Sequence, residues 1–151
     1  MIRLLTLSVF CFAILISAPA QEISYPEKND RLSTFTLIIE GFKVAEGEVR
    51  IALFDSEKNY NRKDNPLHAV VLTVDDTTQS WDAEDLPFGE YAIAVYHDKN
   101  KNGKLDSNLL GIPKEDYGFS NDARGKFGPA SWQDAHFTIS SKEDSMLITI
   151  K

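Results

Sequence analysis

Residues 47–54 read GEVRIALF, which puts Val49, Ile51 and Leu53 on one side of an extended chain and Glu48, Arg50 and Ala52 on the other. Side chains alternate across a strand, so this period of two predicts a half-buried β-strand. Residues 34–40 (TFTLIIE) are β-branched and aromatic, and Gly41 ends them. The same reasoning predicts strands over 68–74, 80–84, 90–96 (EYAIAVY), 132–140 and 145–151, separated by turn chemistry such as DDTT at 75–78 and LPFG at 86–89. The strands at 80–84 and at the terminus are candidates for sheet edges. No segment carries the apolar stripe of an amphipathic helix, and 55–66 reads as a polar connection. Several short strands without helical crossovers imply an all-β fold. The expectation is a roughly seven-stranded antiparallel β-sandwich of Greek-key type, with a long irregular loop before the last two strands.

The N-terminus departs from this pattern. Arg3 precedes an apolar stretch from Leu4 to Ile16, followed by Ser17-Ala18-Pro19-Ala20. A positive start, a short apolar run and an A-x-A site together predict a secretory signal peptide over 1–20, cleaved after Ala20. The run falls short of the roughly 20 residues that a membrane-spanning helix needs, so an anchor is disfavoured and no transmembrane segment is expected in the mature chain. The product is expected to be exported, periplasmic or secreted, with a loose lead-in over 21–33 and one domain over 34–151. Cys11, the sole cysteine, leaves with the signal, so the domain holds itself together by core burial. The formal charge of −7 becomes −8 without Arg3, which disfavours nucleic acid as a partner.

Candidate chemistry gathers in residues 97–130, dense in Gly, Asn, Asp and Pro; loops of this length are usually functional when ordered. From Asp98 the chain reads DKNKNGKLDSN, which spaces oxygen-bearing side chains at Asp98, Asn100, Asn102, Asp106 and Asn108 around Gly103, with the Lys104 carbonyl at the seventh position. This is the first half of a calcium loop. Leu105 is the apolar residue expected to tie it to a core. Leu109 stands where an EF-hand has its bidentate Glu, and no helix pattern flanks the loop. A bound Ca2+ would need a further carboxylate from Glu115, Asp116 or Asp122. The competing reading is a set of Asx turns with no ion.

Three functional classes remain. Tyr117, Phe119, Phe127 and Trp132 could form a stacking surface for a sugar or peptide, or could pin the long loop to the sandwich. Arg124 near Asp116 and Asp122 reads as an ion pair within the loop. A metal-dependent hydrolase would draw on His97, His136 and Asp98, but no short metal-binding spacing and no nucleophile motif is present, so catalytic residues are not assigned. A non-catalytic module of the cell envelope, meeting a partner outside the cytoplasm, ranks first. A ligand-binding module ranks second and an enzyme third.

The stretches at 47–54, 86–106 (LPFGEYAIAVYHDKNKNGKLD), 111–125 (GIPKEDYGFSNDARG) and 127–137 (FGPASWQDAHF) resemble an exported bacterial family, domain of unknown function 2141. The likeness covers nearly all of the mature chain. Phe88 and Ala130 stand where that family's turns carry proline. The LPxGxYxI piece is similar to transthyretin-like and carboxypeptidase regulatory-like sandwiches, which implies the fold and no activity.

Overall fold

A computed structural model describes residues 31–151; the expected signal peptide and most of the lead-in lie outside the described residues. Strands β1 (Leu32–Glu40), β2 (Glu48–Phe54), β3 (His68–Thr73), β4 (Thr78–Pro87) and β5 (Gly89–Asp98) follow the alternation closely. β6 (Tyr117–Phe119), β7 (Phe137–Ile139) and β8 (Glu143–Thr149) complete the set. They form two sheets, one ordered β4-β1-β8 and the other β3-β2-β5-β6, with β7 also pairing with β5. The all-β sandwich is thus borne out. Strands β4 and β8 are the edges of the smaller sheet, as expected, and one pairing, β1 with β8, is parallel.

The core fills the space between the sheets. β1 contributes Phe35, Leu37 and Ile39, β2 contributes Val49, Ile51 and Leu53, and Ile93, Val95, Ile148 and Ile150 face them. Each fully buried aliphatic side chain stabilises the fold by about 1.5–3 kcal/mol relative to exposure.

Two short helices were not visible in the periodicity. α1 (Glu57–Arg62) starts at Ser56, whose side chain accepts from the Asn59 amide, and stops at Lys63 in the left-handed conformation. Tyr60 is the one residue that α1 buries. α2 (Trp132–Ala135) occupies the start of the segment expected to be a strand, and only 137–139 pair with β5. The reason is local. Ser131 Oγ accepts from the Asp134 amide at 3.3 Å, an N-cap that outweighs the alternation over four residues.

These helices lie over the outer face of the larger sheet. There Tyr60, Trp132, Phe54 and Phe119 form a second core, and the Tyr60 hydroxyl donates to the Ala130 carbonyl at 3.0 Å. The ring of Tyr60 meets those of Phe54, Phe119 and Trp132 edge-on. The cap covers one end of the sheet and leaves the other open.

Candidate functional site

β5 delivers its last residue, Asp98, to the outer face of the larger sheet, where its side chain is fully buried. It accepts from Arg50 Nε at 2.7 Å and from the amides of Asn102 and Gly103 at 3.0 and 2.7 Å. Burial pushes the Asp98 carboxyl up, but the Gly103 amide, Arg50 and the Asn102 amide more than offset this and hold it below the usual carboxylate value. Gly103 sits at φ +79°, the left-handed turn anticipated for that position.

Above Asp98, the Asn100 and Asn102 side-chain amides both reach Asp106, at 2.7 and 3.1 Å. Lys104 donates its amide to Asn102 Oδ1. Glu115 closes the loop by accepting from the amides of Lys99 and Asp106, each at 2.9 Å. The structure therefore gathers Asp98, Asn100, Asn102, Asp106 and Glu115. It places Asp116 on Lys43 and Lys99, at 2.6 and 3.2 Å, and Asp122 on the Thr149 amide. Among the described residues no three His, Cys, Asp or Glu side chains converge to hold a metal ion.

Two expectations require correction. Arg124 makes no ion pair with Asp116 or Asp122; it donates to the carbonyls of Tyr117 and Thr149, bracing β6 against β8. Leu105 does not tie the loop to the core; it is exposed and lines a groove.

His97 and Asp98 are neighbours on β5 and face opposite sides of the sheet. The His97 ring is buried against Phe42 and its Nε2 lies 2.6 Å from the Glu46 carbonyl. His136 stacks on Trp132 instead, so the three groups named for a hydrolase do not meet.

The aromatic residues divide. Trp132 is 8% exposed and belongs to the second core, while Phe127 is 103% exposed. Tyr117 and Phe119 lie on β6, opposite Tyr96 and Ala94 of β5, and line the open half of the outer face. That half is a groove of about 430 Å³. Ala52 of β2 and Ala94 of β5 pair directly and make its floor. Tyr96, Tyr117 and Phe119 wall one side, Ala69 and Val71 of the edge strand β3 the other, with Lys63 at the capped end and Arg50 beside the Asp98 turn. Across Tyr117, Phe119 and Pro129 a second hollow of about 610 Å³ opens between Leu110, Ile112 and Phe127. No Asp or Glu lines either hollow among the described residues.

Residue type along the strands carries a signal for this groove. Ala52, Ala94 and Tyr96 occupy outward positions where a solvated strand carries polar side chains.

A family model described as an uncharacterized protein conserved in bacteria, domain of unknown function 2141, matches residues 37–146. No curated protein and no solved structure matches the chain. The chain belongs to that family.

Proposed function

We propose that this family member is an exported, non-catalytic β-sandwich module that binds a small apolar ligand in the groove on the outer face of its larger sheet. The observation that carries the reading is the floor of Ala52 and Ala94 between an aromatic wall of Tyr96, Tyr117 and Phe119 and an aliphatic wall of Ala69 and Val71, left open where the α1–α2 cap ends. Ligand sites are concave, mainly apolar and of about 300–1,000 Å³, which this groove satisfies. Its walls offer few neutral polar side chains, whereas a sugar needs several hydrogen-bonding partners for its hydroxyls; the apolar ligand is therefore favoured over the carbohydrate. The separation of His97, Asp98 and His136 supports a non-catalytic role.

Titration with N-phenyl-1-naphthylamine, a neutral fluorophore, tests the binding. A saturable rise in emission at one site per chain is expected, and emission that stays flat or rises without saturation contradicts it. Export rests on the N-terminal pattern. Expressed as the full chain in a bacterial host, the protein should appear in the periplasm or medium with Gln21 as its first residue; a cytoplasmic chain beginning at Met1 would remove that part.

A second reading rests on Asp106, Asn100, Asn102 and Glu115 meeting at one turn, where the asparagine nitrogens donate to Asp106 and their oxygens accept from the Asn102 and Lys104 amides. We infer a weak Ca2+ site at this turn, in which both asparagine side chains rotate to exchange nitrogen for oxygen beside Asp106, the Lys104 carbonyl is a further ligand and Glu115 supports the loop. Affinity of about 10⁻⁴–10⁻³ M is expected, as in extracellular modules. Millimolar Ca2+ should raise the melting temperature, chelator should reverse the rise, and Asp106→Ala should abolish it. A melting curve insensitive to both additions removes the site.

A further inference from the structure

We propose that the groove takes a free long-chain carboxylate, with the apolar chain over Ala52 and Ala94 and the carboxylate beside the Lys63 ammonium. The proposal rests on the reading of the groove as a binding site and adds the chemistry of its ligand.

Charge complementarity decides the ligand class. The chain has 23 acidic and 16 basic residues, yet among the described residues the charged side chains that line the groove and its extension are all cations: Arg50, Lys63 and Lys126. Arg50 is occupied, since it holds Asp98 at 2.7 Å and Glu48 at 2.8 Å. Lys63 differs. Among the described residues no carboxylate pairs with its ammonium, which donates to the Tyr60 carbonyl at 2.9 Å. The nitrogen lies 3.2 Å from the centroid of the Tyr60 ring and 5.4 and 5.8 Å from those of Phe119 and Phe54. An ammonium has three donors, so this cage leaves it hydrogen-bonding capacity at the end of the groove.

The cage takes part of the water from the ammonium, while Lys63 as a residue stays exposed. Burial lowers the Lys63 amine from its ordinary 10.5 to about 8. A cation that has exchanged part of its solvent for ring faces and one carbonyl binds an anion more strongly than a fully solvated lysine does. The acidic surface elsewhere repels an anionic bilayer, which favours a single free amphiphile over a membrane surface.

The test compares decanoate with decanol, matched in chain length, as competitors for N-phenyl-1-naphthylamine on the purified mature protein. Decanoate should bind roughly tenfold more tightly, the size of one charge-assisted contact. Lys63→Met should bring the two within about twofold of each other, and Lys63→Arg should keep most of the preference. Circular dichroism checks that both variants fold.

Equal affinities in the wild type would overturn the carboxylate and leave the groove standing. A preference unchanged in Lys63→Met would overturn the role of Lys63. Failure of both competitors to displace the fluorophore would overturn the amphiphile, and failure of the fluorophore itself would overturn the groove reading beneath it. Co-sedimentation with phosphatidylglycerol vesicles, without competition by decanoate, would point to a membrane surface and overturn the free ligand.

Discussion

Arg50 Nε donates to Asp98 across the β2–β5 pair at 2.7 Å, so one guanidinium both lines the groove and holds the first residue of the turn that follows β5. The Asp98 side chain is fully buried and that of Arg50 is 27% exposed. Removing one partner leaves the other's charge poorly compensated. Arg50→Met or Asp98→Asn should each destabilise the domain by about 2–4 kcal/mol, below the range for fully buried pairs because Arg50 touches solvent. The double substitution should cost less than the sum of the two in urea denaturation. Strict additivity would show that the pair is not coupled.

Acid should weaken the fold through Asp98 and Asp116. Burial raises both carboxyls, and their hydrogen bonds outweigh this and bring them down, Asp98 through Gly103, Arg50 and Asn102, and Asp116 through Lys43 and Lys99. Folded values below the ordinary 3.8 mean that their stabilisation is fully present above that pH and is lost as pH falls from there down through the folded values. The urea midpoint should drop more steeply below that point in the wild type than in Asp98→Asn/Asp116→Asn. Parallel acid limbs would contradict the assignment.

Gly118 lies where β6 meets β8, and a Cβ there would stand 2.7 Å from Ile148 Cγ2. Gly118→Ala should cost about 1–3 kcal/mol, as overpacking does. Combined with Ile148→Ala it should cost less than the sum, because the obstructing methyl is gone. A neutral single substitution would mean that β6 can move away from β8 freely.

Ala94→Leu should fill the groove without entering the core between the sheets, since position 94 faces outward from β5. Stability should change by less than about 1 kcal/mol. Binding of the neutral fluorophore should weaken at least tenfold, measured by the same titration. Retained binding would place the ligand elsewhere.

The strands were legible because alternation records which side of a strand meets the core: Val49, Ile51 and Leu53 read correctly from their spacing alone. α1 and α2 were not, because helices of six and four residues bury one or two side chains and generate no period. Their caps, Ser56 and Ser131, were the remaining signals. The turn at Gly103 was legible from residue type. Its partner Arg50 was not, because the two meet only through the β2–β5 register, which spacing along the chain does not encode. The parallel pairing of β1 with β8 is hidden for the same reason. The groove was half legible: outward alanines marked it, and only the placement of the α1–α2 cap shows which part stays open.

The most direct test is to map a neutral ligand onto the fold. Titration of isotopically labelled mature protein with decanol, followed by amide chemical shifts, should perturb Ala52, Ala94 and Phe119 and leave β1 and β4 unchanged. Saturable shifts confined to those outer-face positions are expected. Shifts absent at saturating decanol, or centred on the smaller sheet, would contradict it.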